Sequence, residues 1–120
     1  MRVLIADDSS TMRSILRRSL KSLGIQDPVE ATDGLQAIEL FKEGSFGLVL
    51  TDWNMPGKTG LELIREIRAL DQKVPIVMIT TEAERGRVVE AIQAGASDYL
   101  VKPFTTTVLE QKLDRFATPT

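Results

Sequence analysis

The sequence predicts an α/β protein: an open, doubly wound sheet of five parallel strands with helices on both faces. Three observations predict it. Short apolar, β-branched runs alternate five times with stretches of 3.6-residue apolar period. Three of the runs are apolar at every position, as strands covered on both faces of a parallel sheet must be. The chain has 120 residues, one domain's worth and about half of what a closed eightfold barrel needs.

The elements follow in order. Val3-Leu4-Ile5-Ala6 reads as the first strand and runs into Asp7 and Asp8. Met12, Ile15, Leu16, Leu20 and Leu23 form the stripe of a first helix, and Gly24 follows as a left-handed stop. Pro28 introduces a weaker strand, Val29-Glu30-Ala31, where a missing N–H matters little. Leu35, Ile38 and Phe41 mark the second helix, with Gly44 read as its stop. Leu48-Val49-Leu50 is the third strand and leads to Asp52. Thr59-Gly60-Leu61-Glu62 fits a capping box, a hydroxyl and a carboxylate satisfying each other's backbone donors, ahead of a stripe of Leu63, Ile64, Ile67 and Leu70. Pro75 precedes the fourth strand, Ile76-Val77-Met78-Ile79, which runs into Thr80 and Thr81. A second capping-box pattern, Thr81-Glu82-Ala83-Glu84, opens a helix read from Val88, Ala91, Ile92 and Gly95. Tyr99-Leu100-Val101 runs into Lys102, and Leu109, Leu113 and Phe116 mark the last helix.

Composition removes several function classes. With no cysteine there is no disulfide framework, zinc–thiolate cluster or thiol nucleophile. With no histidine there is no Ser-His-Asp catalysis, and the commonest metal ligand is missing. Nucleophilic or acid/base work must fall to carboxylates, lysine, tyrosine or hydroxyls. A net charge of −2 with 27% charged residues lacks the basic excess of a nucleic-acid-binding domain. No apolar run approaches the roughly 20 residues a membrane helix needs, and the apolar start is cut short by Asp7 and Asp8, unlike a signal peptide. A cytoplasmic location is expected.

Open α/β sheets bind ligands beyond the carboxyl ends of their strands. There the sequence places Asp7, Asp8, Asp52, Thr80 and Lys102, from elements far apart in the chain. A lone Asp at a strand end is ordinarily a helix cap, and a lone Lys-Pro step a turn. Together they are a chemical constellation. Two carboxylates about 4 Å apart repel by about 4 kcal/mol at an effective dielectric near 20, and one lysine does not balance three. A hard divalent cation such as Mg²⁺ suits an all-oxygen set, and a carboxylate beside a metal and an ammonium is a fitting phosphoryl acceptor.

At this point the sequence resembles the receiver domain of two-component response regulators. The resemblance spans essentially the whole chain. It rests on Asp7-Asp8, Thr51-Asp52-Trp53-Asn54-Met55-Pro56, Ile79-Thr80-Thr81, Gly95-Ala96-Ser97-Asp98-Tyr99-Leu100 and Val101-Lys102-Pro103-Phe104, in this order. It implies a (βα)5, flavodoxin-like sheet of order 2-1-3-4-5, an order documented for the family's chemotaxis member and adopted here by resemblance. It implies that Asp52 is the phosphoacceptor and that Mg²⁺ is held by Asp8, Asp52 and the backbone carbonyl of Asn54, with Asp7 helping through water. Thr80 and Lys102 would contact the phosphoryl group, and Tyr99 would move between exposed and buried positions as Thr80 moves. Asn54 and Glu82 would set the lifetime of the acyl phosphate, and the Lys102–Pro103 peptide would be cis. Asp52-Trp53-Asn54-Met55-Pro56, Glu82 and Ser9-Ser10-Thr11-Met12-Arg13 are most similar to the branch that controls the flagellar switch in chemotaxis. Lys58 and Thr59 depart from the family, which favours an apolar residue and Asp or Asn there.

The resemblance further implies a phosphorelay in which a partner histidine kinase is the donor, and a downstream target protein, a flagellar switch component in the chemotaxis case. The partner surface is expected around Ala83, Arg87, Val88, Ala91 and Tyr99, and a monomer is expected before phosphorylation. Residues 1–120 are expected to form one receiver domain, either stand-alone or excised from a larger regulator. Arg13, Arg17, Arg18 and Lys21 line the first helix, either as a solvated basic face or as a dock for an acidic partner. Two other classes fit poorly. A flavodoxin-type cofactor site wants a hydroxyl- and glycine-rich loop where Asp7 and Asp8 stand, and an aspartyl phosphatase wants acidic residues spaced two apart plus a cap domain. An interaction module that keeps the fold without the chemistry is the remaining alternative.

Overall fold

A computed structural model describes residues 1–81 and 85–117. Among them five strands and five helices alternate: β1 (Val3–Ala6), α1 (Ser10–Ser22), β2 (Val29–Ala31), α2 (Gly34–Glu43), β3 (Leu48–Thr51), α3 (Gly60–Leu70), β4 (Ile76–Thr80), α4 (Arg85–Ala94), β5 (Asp98–Val101) and α5 (Thr106–Ala117). All neighbouring strands pair in parallel, in the order β2-β1-β3-β4-β5. This is the expected (βα)5 arrangement with strand order 2-1-3-4-5.

Strand side chains alternate between two cores, as the two-residue period of a pleated strand requires. Leu4, Ala6, Val49, Ile76 and Met78 face α2, α3 and α4, joining Ala37, Ile38, Phe41, Leu63, Ile64, Ile67 and Ala91. Val3, Ile5, Leu48, Leu50, Val77 and Ile79 face α1 and α5, joining Leu16, Leu20, Leu109 and Leu113. Both faces being covered explains why these strands read as unbroken apolar runs.

Helix ends follow local chemistry. The Ser9 hydroxyl accepts the Met12 N–H, and an Asp33 carboxylate oxygen accepts that of Gln36. Thr59 and Glu62 complete the expected capping box. The second box, from Thr81 to Glu84, lies partly outside the described residues. After α4, Gly95 takes φ +122° while its N–H reaches Ile92 O and the Ala96 N–H reaches Ala91 O, a paired closure that needs a left-handed residue.

Four sequence expectations are corrected. Leu35 is 54% exposed, because α2 begins at Gly34 and buries positions 34, 37, 38 and 41, turning Leu35 to the rim. Leu70, at the last position of α3, is exposed. Ile92 is also exposed, since α4 buries Ala91 and the next residue lies about 100° around the helix. Gly44 caps α2 with extended backbone (φ −130°), not a left-handed turn.

A Cβ at Gly95 would lie 2.6 Å from Arg68 Cγ, and Arg68 Nε already donates to the Gly95 carbonyl at 2.9 Å. Conformation and space therefore exclude a side chain together. Gly95→Ala should cost about 1–3 kcal/mol, read as a lower urea midpoint with unchanged slope; a midpoint at the wild-type value would contradict the packing described.

Candidate functional site: an acidic cluster at the carboxyl edge of the sheet

Register builds the site. Ala6 of β1 is level with Thr51 of β3, and Thr80 of β4 with Val101 of β5. Each ladder then extends one bond further. Asp7 N–H donates to Ala31 O (3.1 Å), Asp52 N–H to Ala6 O (2.9 Å) and Lys102 N–H to Thr80 O (2.8 Å). Asp7, Asp52 and Lys102 thus leave the sheet at one edge, beside the point where the chain order reverses between β1 and β3.

Asp7 is buried, Asp52 half-buried and Asp8 exposed, and one carboxylate oxygen from each lies within 4.8 Å of the others. Charges that close repel by about 3–4 kcal/mol per pair at an effective dielectric near 20. Lys102 Nζ stands 3.4 Å from Asp7 Oδ2 and 3.6 Å from Asp52 Oδ2, offsetting part of this. The formal excess is still negative. Burial pushes the Asp52 carboxyl above its ordinary range; Asp7 and Asp8 add to the rise, while Lys102 and the Trp53 N–H oppose it. The donor set is hard oxygen, spans buried to exposed, and is short of positive charge. It is compatible with a divalent metal.

Backbone donors hold the carboxylates in place. The Ser9 N–H reaches Asp7 Oδ1 at 2.9 Å, and the Trp53 N–H reaches Asp52 Oδ1 at 2.7 Å. Arg13 Nη1 donates to the Asp7 carbonyl at 2.6 Å, while its Nε pairs with Glu30 Oε1 at 3.2 Å. Arg17 pairs with the other oxygen of Glu30 at 2.5 Å. Arg13 and Arg17 are therefore engaged with β2 rather than forming an unoccupied basic face.

The remaining expected residues fall as follows. Thr80 is fully buried at the end of β4. Asn54 is exposed in the loop after β3. Tyr99 is buried, in the core on the α4 side. The Lys102–Pro103 peptide is cis. Lys58 pairs with Glu66 of α3 at 2.8 Å, so the family departure at this position is tied down to the next helix. Of the expected partner surface, Arg87 is exposed and Val88 intermediate, but Ala91 is wholly buried against the core and Tyr99 nearly so. Neither Ala91 nor Tyr99 offers surface in this conformation. Glu82 and Ala83 lie outside the described residues.

Sequence reading missed Gly60. A Cβ there would come within 2.0 Å of the Asp52 carbonyl oxygen, and the Gly60 N–H donates to Trp53 O at 2.7 Å. The start of α3 thus presses directly on the backbone of the acidic residue. Glycine at the first position of a helix carries no sequence mark of such an approach. Lys102 also ends a groove of about 470 Å³ between α1 and α5, lined among others by Met12, Ile15 and Phe104.

The family model of the response regulator receiver domain matches residues 3–114. The chain is 49% identical over 117 residues to chemotaxis protein CheY-3 of Vibrio cholerae, covering 96% of this chain and 90% of that one. It is 45% identical over 117 residues to chemotaxis protein CheY of Pseudomonas aeruginosa, covering 96% and 94%. Among solved structures, chemotaxis response regulator CheY4 of Vibrio cholerae superposes with a TM-score of 0.88 at 32% identity, covering 96% and 97%. The receiver domain of the sensor histidine kinase PA1611 of Pseudomonas aeruginosa superposes at 0.86 with 31% identity, covering 98% of each, and holds a magnesium ion in its active site cleft. The chain belongs to the response regulator receiver domain family. It is of the class of phosphorylation-activated signalling switches, which pair with a histidine kinase and a downstream effector and carry self-phosphorylation chemistry rather than classical enzyme turnover. No helix among the described residues is long and apolar enough to cross a membrane.

Folded Asp52 holds its proton more tightly than the unfolded chain does. Its ionisation therefore removes stability as pH rises through the folded pKa. In metal-free buffer Asp52→Asn should melt a few degrees above wild type at pH 7 (roughly 4–8 °C per kcal/mol for a domain near this size). The gap should close as pH falls below the unfolded value, about 3.9. An Asp52→Asn protein no more stable at pH 7, or one whose advantage grows on acidification, would contradict the stated environment.

Proposed function

We propose that Asp52 accepts a phosphoryl group from a phosphohistidine of a partner kinase, and that the modified chain signals to a downstream protein, in chemotaxis and at the flagellar switch. The observation that carries the chemistry is the pair of Lys102 contacts, 3.4 Å to Asp7 and 3.6 Å to Asp52, at an edge where three carboxylates converge. The chemotaxis assignment is supported by two relatives of that name at 49% and 45% identity.

In this reading Asp8, Asp52 and the Asn54 carbonyl hold Mg²⁺, with Asp7 assisting through water. Mg²⁺, when bound, neutralises charge on the transferring group and on the carboxylates. An Asp52 carboxylate oxygen forms the new bond to phosphorus as the donor's N–P bond breaks, and the freed imidazole takes a proton. Lys102 meets the charge developing on a phosphoryl oxygen. Trp53 N–H orients the carboxylate through its 2.7 Å bond. The added charge then draws Thr80 towards it, and Tyr99 on the neighbouring strand follows. A pre-existing equilibrium shifts, changing the surface of α4, β5 and α5 around Ala83, Arg87, Val88, Ala91 and Tyr99. Ala91 and Tyr99 contribute only in the shifted state. Asn54 and Glu82 adjust the lifetime of the acyl phosphate. Residues 1–120 act as one cytoplasmic receiver unit, monomeric before phosphorylation.

Incubation with Mg²⁺ and acetyl phosphate, followed by intact mass and peptide mapping, tests this. One phosphoryl addition on Asp52 is expected, lost on chelation and in Asp52→Asn. A folded protein that takes no phosphoryl group with metal present would instead be an interaction module of the same fold.

A further inference from the structure

From sequence Arg87 belongs to the expected partner surface; in the structure it is exposed and also reaches the ring of Trp53. Its guanidinium carbon lies 5.3 Å from the centroid of the Trp53 ring, within the range of a cation–π contact, and its Nη1 is held by Glu90 Oε1 at 3.2 Å. Trp53 itself is only 5% exposed.

Trp53 is fixed at three points, and each bears on Asp52. Its ring lies under Arg87, its carbonyl accepts the Gly60 N–H at 2.7 Å, and its own N–H donates to Asp52 Oδ1 at 2.7 Å. The peptide that aims the carboxylate is thus clamped between the start of α3 and the first turn of α4. Gly60 is held in the backbone and cannot adjust, because any Cβ would strike Asp52 O. Arg87 is a side-chain contact on an exposed helix face, so this side of the clamp can be loosened without unfolding the core.

We infer that Arg87 is a positioning residue for the phosphoacceptor: it seats the Trp53 ring, and through the Trp53 peptide it fixes the orientation of the Asp52 carboxylate. It acts through Trp53 and does not touch the reacting atoms. The same contact ties α4 to the acidic site, so a change at either end is felt at the other. The effect on phosphoryl transfer rests on the proposed function; the effect on Trp53 does not.

Trp53 is the sole tryptophan in the chain, so its indole N–H gives one identifiable nuclear resonance and its amide another. Arg87→Ala and Arg87→Lys should be compared with wild type in two measurements: the Trp53 amide and indole shifts, and the rate of Asp52 phosphorylation by acetyl phosphate at saturating Mg²⁺. Arg87→Ala should move both shifts and slow phosphorylation about two- to fivefold, the range a half-exposed cation–π contact sustains. Arg87→Lys, which keeps the cation, should recover most of both. Arg87→Ala with an unmoved Trp53 amide or an unchanged rate would overturn the inference, as would Ala and Lys variants that behave alike. If wild type takes no phosphoryl group, the proposed function falls, and the Trp53 amide shift alone decides the positioning claim.

Discussion

Repulsion among carboxylates gathered at one edge of a parallel sheet is the constraint on which the rest of this structure depends. Parallel pairing keeps β1 and β3 level, so the residues that follow Ala6 and Thr51 emerge together, and both are aspartates. Asp8 joins them with an oxygen within 4.8 Å. A fold that places like charges so close needs compensation, and each local feature of the region supplies some. Lys102 comes from β5 to stand between Asp7 and Asp52. Backbone N–H groups of Ser9 and Trp53 point at the carboxylates. The balance stays negative, an arrangement compatible with a bound divalent cation.

The scaffold beneath is stiff. Two apolar cores sandwich the sheet, and β1, β3 and β4 are buried along their whole length. The acidic edge therefore rests on strands packed from both faces. Specific contacts tie the edge to the rest of the molecule. Gly60 links Asp52 to α3, the Trp53–Arg87 contact links it to α4, and Arg13 links the Asp7 backbone to Glu30 of β2. Thr80 and Tyr99 sit on adjacent strands, Thr80 level with Val101 and Tyr99 level with Met78. A change at Asp52 thus has short physical routes to α4 and β5.

Much of this was legible in the sequence, for a physical reason. Strands covered on both faces must be apolar throughout, and Val3 to Ala6, Leu48 to Leu50 and Ile76 to Ile79 are. Aspartates that interrupt such runs stand out, so Asp7, Asp8 and Asp52 are legible in the sequence itself. What could not be read depends on distances between segments. Gly60 resembles any helix-start glycine until the Asp52 carbonyl is seen beneath it. Arg13 and Arg17 read as a solvated face or an acidic partner's dock because Glu30, 17 and 13 residues away, carries no mark of being their partner. Leu35 and Ile92 fit an apolar stripe by spacing alone, yet small neighbours, Ala37 and Ala91, take the buried positions. Spacing reports a face; it does not report which residue the facing sheet has room for.

The central claim is that the acidic edge is a cation-dependent phosphoacceptor site, and metal-linked stability tests it most directly. Binding to the folded state alone raises the melting temperature by mass action. Calorimetry across a Mg²⁺ titration should show a melting temperature that climbs with metal concentration in wild type and stays flat in Asp8→Asn. A wild-type melting temperature indifferent to Mg²⁺, or an equal rise in Asp8→Asn, would contradict the account.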